Sequence, residues 1–80
     1  MVTFNNKQIE VLNKITTISK MEWLYIDENG RCRDNENNMR IISPKKAIKA
    51  LVEGVSYDTL SVLTPMEIGI FLSIISRVLE

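Results

Sequence analysis

Apolar side chains in the N-terminal quarter recur at three- and four-residue spacing. Val11, Leu12, Ile15 and Ile18 form one stripe, while Glu10, Asn13, Lys14 and Thr17 fall on the other side. The pattern predicts a helix over 6–20. Asn5 stands at the N-cap with Gln8 three residues on, the spacing of a capping box. Phe4 and Ile9 flank them as a hydrophobic staple. Glu10 and Lys14 read as an exposed pair at four-residue spacing.

The pattern then changes. Residues 22–27, Glu-Trp-Leu-Tyr-Ile-Asp, are rich in aromatic and branched side chains and too short for a helix, so they predict a strand. Asn29-Gly30 predicts a type I′ hairpin turn with positive φ at both residues. Arg31-Cys32-Arg33 is expected to return as a short solvated strand and residues 34–38 as a loop, with a third strand over 39–42. So small a sheet needs a helix over its apolar face.

Ser43-Pro44 opens the next helix. Ala47, Ile48, Leu51 and Val52 are placed inward, Lys45, Lys46, Lys49 and Glu53 outward, and Gly54 serves as terminator. A short helix over 56–63, capped by Ser56, follows. Thr64-Pro65-Met66-Glu67 then opens a final helix running to about Leu79. Its apolar arc spans roughly 200°, against the roughly 100° or more of a one-sided helix. Such a helix is central in its own fold, or is covered on a second side by a partner. The expected architecture is α+β: an N-terminal helix, a small antiparallel hairpin or three-stranded sheet, then two or three helices ending in an apolar one. Residues 1–80 are expected to make a single compact domain.

Composition narrows the function. The 80 residues carry ten cationic and ten acidic side chains and no histidine, which removes the commonest general base and metal ligand. The lone Cys32 allows no internal disulfide and no CxxC zinc site, and points to a reducing, cytoplasmic setting. MVTFNNKQ lacks the apolar run of a signal peptide. The longest charge-free apolar stretch, 68–76, is nine residues against the roughly 20 of a membrane span. Eleven Ile, seven Asn and six Lys make a compositional bias of the kind expected from an AT-rich genome, and the counts by themselves are not a chemical signal. The zero net charge hides a gradient: residues 1–30 balance at −1, 31–49 at +4 and 50–80 at −3. Two differently charged surfaces point to a partner.

Catalytic chemistry has little support. Asp27 with Glu28, and Asp34 with Glu36, lie in polar turns beside arginines and read as solvated turn residues. No phosphate-binding glycine loop or nucleophile elbow occurs. Cys32 lies between two arginines, which would lower a thiol pKa, but no acid–base partner is evident. Residues 25–36 keep part of a calcium-loop spacing, yet Tyr25 falls on the first ligand position, so the hairpin is preferred. The chain is therefore expected to be no enzyme and to need no cofactor.

Two local resemblances remain. Ser43-Pro44-Lys45-Lys46 resembles the minor-groove-binding repeats of histone tails, and as a single copy reads as a helix cap followed by surface lysines. Residues 46–63, around Ala50, Gly54, Val55 and Ser56, resemble the helix-turn-helix of lac-repressor-type regulators. That resemblance implies DNA binding, with Tyr57 and Ser61 on the reading helix; if DNA is bound, the phosphate contacts are expected from the basic segment 31–49, Lys45 and Lys46 among them. Lys49 and Glu53 depart from the apolar residues the family places there, and the reading helix lacks any Lys or Arg.

The leading expectation is a small non-enzymatic regulator that binds another protein, of adaptor or inhibitor type. Such compact chains are common among regulators encoded by phages and mobile elements. Contacts are expected from Phe71, Ile75 and Val78 on the last helix and from Arg31 and Arg33 in the basic segment, with a homodimer through residues 65–79 as a further possibility. The other expectation is a helix-turn-helix DNA-binding regulator.

Overall fold

The computed structural model describes residues 3–80. Its elements follow in the order α1 (Asn6–Ile18), β1 (Leu24–Ile26), β2 (Cys32–Asp34), β3 (Arg40–Ile41), α2 (Pro44–Gly54), α3 (Tyr57–Ser61) and α4 (Pro65–Leu79). The three strands form one antiparallel sheet in the order β1-β2-β3. This is the α+β arrangement expected from the sequence.

Local signals set the helix starts. The Asn5–Gln8 and Thr64–Glu67 capping boxes are both closed, and the Ser43 side chain accepts from the Lys46 amide. Helix α1 ends earlier than predicted, at Ile18. Lys20 takes a left-handed φ of 58°, the Met21 amide donates to the Thr16 carbonyl, and the Lys20 amide donates to Thr17. This is a Schellman stop built on lysine instead of glycine, which composition does not flag.

The first hairpin turn differs from expectation. At β1–β2 only Gly30 has positive φ; its amide donates to the Asp27 carbonyl and the Asp27 amide to Arg31. The loop is thus a three-residue connection with a left-handed glycine, not a type I′ turn. A side chain at Gly30 would collide with the Phe4 backbone, so the glycine is needed for close approach as well. Consecutive positive φ values occur instead at Asn38 (55°) and Met39 (57°), where the Arg40 amide donates to the Asn37 carbonyl. The type I′ geometry therefore sits between β2 and β3.

The core gathers Val11, Leu12 and Ile15 of α1, Leu24 and Ile26 of β1, Cys32 of β2, Ala47, Ile48 and Leu51 of α2, and Phe71 and Ile74 of α4, with Phe4 and Leu63. Helix α1 packs on β1 and on α4, and α4 also packs on α2. These two neighbours cover most of the wide apolar arc of α4, while Met66 and Leu72 stay exposed. Val52, placed inward by the sequence pattern, is exposed. Gly54 is the last residue of α2 and not a left-handed terminator; the Met21 sulfur closes against it. Helix α3 is shorter than expected, ending at Ser61, and Leu63 beyond it is buried. No helix among the described residues is long and apolar enough to cross a membrane.

Candidate functional site

Strand alternation sends Leu24, Ile26 and Cys32 inward. The opposite face carries Tyr25, Arg33 and Ile41, which the register sets side by side across all three strands. Tyr25 is 41% and Ile41 52% exposed, so no helix among the described residues covers this face. Between them Arg33 is held on both sides. Its Nε donates to Asp27 Oδ2 at 2.7 Å and its Nη1 to the Met39 carbonyl at 3.0 Å. Asp27 is itself fixed, because its Oδ1 accepts from the Asn29 and Arg31 amides. The Arg33 guanidinium, aided by those amides, holds the Asp27 carboxyl below its ordinary pKa.

The two edges of the sheet are closed differently. On β1 the Asn13 side chain acts as a surrogate strand: Nδ2 donates to the Ile26 carbonyl at 2.9 Å and Oδ1 accepts from the Ile26 amide at 3.0 Å. On β3 the strand is only two residues long and carries Arg40, which blunts it against further pairing. Beside Tyr25 a cleft of about 320 Å³ opens between α1 and β1, lined by polar Asn13, Thr17, Glu22 and Asn35. What the molecule offers is therefore a face and not an edge.

Charge is distributed unevenly around this face. Ion pairs among the described residues join Lys7 to Glu10, Lys14 to Glu67 and Arg33 to Asp27. Arg31, Arg40, Lys45, Lys46 and Lys49 are exposed, and among the described residues none has a carboxylate at ion-pair distance. Because the Ile42 amide donates to the Cys32 carbonyl, the next residues in register are Arg31 and Ser43, the N-cap of α2. Arg31 thus lies at the same end of the sheet as Lys45 and Lys46 in the first turn of that helix.

The expected contact residues are placed as follows. Arg31 and Arg33 belong to the open face, although Arg33 is half-buried and committed to Asp27. Phe71 is 2% exposed and is a core residue, correcting its expected place on a contact surface; Ile75 and Val78 are half-buried against the same core. Burying the phenyl ring contributes about 1.5–3 kcal/mol, which suffices to account for it. The exposed arc of α4 holds Gly69, Ser73 and Ser76 with Met66 and Leu72. Tyr57 is 86% exposed, and the Ser61 hydroxyl donates to the Asp58 carbonyl at 2.7 Å. Lys45 and Lys46 point to solvent.

Two assignments made from sequence change sign. Burial raises the Cys32 thiol to about 11, with the Asp27 charge adding to the shift, so the flanking arginines do not activate it. Lys14 does not pair with Glu10 but reaches across to both Glu67 oxygens at 2.9 Å. The Thr64 amide first, and Lys14 after it, bring Glu67 down to about 2. Tyr25 and Ile41 as a pair, and Asn13 as the edge plug, were not singled out by sequence. Strand parity carried through both hairpins would have found the first; only the fold reveals the second. Searches of family models, curated proteins and solved structures return no match to this chain.

Proposed function

We propose that this chain is a small non-enzymatic regulator that acts by binding another protein through the open face of its sheet. The observation that carries this reading is the row Tyr25–Arg33–Ile41: two exposed apolar side chains flank a guanidinium already held by Asp27 and Met39. Tyrosine and arginine are enriched at interface hot spots, and a side chain ordered before contact loses less entropy on binding. The DNA-binding reading is less well served. Helix α3 has five residues, about 7.5 Å of helix, and presents Tyr57, Asp58 and Ser61 with no cation.

Site-specific photo-crosslinking in cells tests the proposal. A photoreactive side chain at Tyr25 or Ile41 is expected to give a discrete protein adduct that the same group at Ser73, on the exposed arc of α4, does not. Adducts from Ser73 alone would move the interface to α4, and an adduct with a second copy there would make the chain a dimer through residues 65–79. A gel shift with random DNA at low salt addresses the other reading, since phosphate contacts strengthen steeply as salt falls.

A further inference from the structure

Resting on the protein-binding reading, we infer that the partner presents an acidic segment whose carboxylates meet the Arg31, Lys45 and Lys46 end of the sheet and whose apolar side chains lie across its open face. Among the described residues, unpaired positive charge is concentrated in one segment of the chain. The chain is neutral as a whole, yet five cations of residues 31–49 stand without ion pairs among the described residues. Arg31, Lys45 and Lys46 share one end of the sheet, where the N-terminus of α2 adds its own partial positive charge and no acidic residue occupies the first turn. A partner that neutralised them would bring negative charge to this end. The centre of the face asks for something else, since Tyr25 and Ile41 are exposed and Arg33 is already satisfied. An apolar centre with a polar rim is the usual anatomy of a protein interface.

Three features favour a polypeptide over a polynucleotide. Glu22, Glu28 and Glu36 are exposed around the same hairpins and would repel a continuous phosphate backbone. Tyr25 is the one aromatic ring of the exposed row, where single-stranded nucleic acid is held by successive stacking platforms. The cations of this end are the neighbouring Lys45 and Lys46 with Arg31, and lysine ammoniums bind carboxylates as point charges without the bidentate fork that clamps a phosphate. Edge pairing is not needed for such a segment, because Asn13 plugs β1 and β3 is short.

The test uses the full chain and a labelled peptide carrying leucine and phenylalanine beside a run of acidic residues. Amide shifts in a nitrogen-15 spectrum are expected at Tyr25, Arg31, Arg33 and Ile41. Affinity is expected to fall about tenfold or more in the combined Arg31→Glu, Lys45→Glu, Lys46→Glu variant, and to weaken with salt in the unsubstituted chain. Replacing the two apolar residues of the peptide by serine should also weaken binding. Shifts confined to other residues, unchanged affinity in the charge-reversed variant, or equal binding of charge-matched single-stranded DNA would overturn the inference. The photo-crosslinked adduct separates the two levels. If it persists in the charge-reversed variant but is lost in Ile41→Ser with crosslinking from Tyr25, protein binding stands and the acidic partner does not. If no adduct forms from either position, the protein-binding reading itself fails.

Discussion

The two faces of one small sheet do opposite work with the same kinds of residue. Inward, Leu24, Ile26 and Cys32 are 2% exposed or less and meet the helices. Outward, one position along each strand, Tyr25, Arg33 and Ile41 meet solvent. Isoleucine appears on both faces, so hydrophobicity alone does not say which face is core. A cysteine between two arginines is on the buried side, while the arginine next to it is on the open side. Alternation decides this, and the helices decide which of the alternating sets is covered.

Truncation on the covered face should have the largest effect. Ile26→Ala leaves a cavity under α1 and is expected to cost about 2–5 kcal/mol, read as a lower urea midpoint. A loss comparable to that of an exposed site would mean that the core face has been misassigned.

Next is the plug that holds β1 to α1. Asn13→Ala removes two hydrogen bonds and leaves the Ile26 amide and carbonyl without those partners, at a cost of about 1–3 kcal/mol. Asn13→Asp should be worse than Asn13→Gln, because a carboxylate cannot donate to the carbonyl. Hydrogen exchange at the Ile26 amide, which donates to Asn13 Oδ1 in the unsubstituted chain, is expected to quicken in all three variants.

Acid separates the open face from the α1–α4 contact. Asp27, with its ordinary pKa of 3.8 lowered in the fold, contributes stability that is complete above that value and is lost as pH falls through the lowered one. Glu67 behaves likewise over a wider window, complete above its ordinary 4.5 and lost as pH falls through about 2. The stability difference between the unsubstituted chain and Asp27→Asn should therefore be level above about pH 4 and shrink on acidification. The difference against Glu67→Gln should go on shrinking down to about pH 2. A difference that grows towards low pH would contradict the ion pairs.

The smallest stability effect is expected on the open face. Tyr25→Ala and Ile41→Ser should each shift stability by no more than about 0.5 kcal/mol, since neither leaves a cavity. The same substitutions should abolish crosslinking to the partner. A large destabilisation at either position would make the face part of the fold and not a contact surface.

What the sequence by itself determined about this protein was whatever depends on neighbours in the chain. The three principal helix starts are closed by groups within three residues of each other, Asn5 with Gln8, Ser43 with Lys46 and Thr64 with Glu67, and were legible for that reason. The positions of the three strands followed from residue type and turn signals, and the α+β order from these together with helical periodicity. Most contacts across the fold were not legible. Asn13 and Lys14 look like a solvent-facing stretch of α1, yet one satisfies a strand and the other crosses 53 residues of sequence to Glu67. Residues 29–30 have the composition of a type I′ turn, but the Asp27 carboxylate and the Phe4 backbone select another loop there. The open face shows the division most clearly. Period-two alternation already separates Tyr25 from Leu24 and Ile26, whereas only the packing of α1, α2 and α4 leaves Tyr25 and Ile41 uncovered, because burial is settled by what lies opposite a side chain and not by the side chain itself.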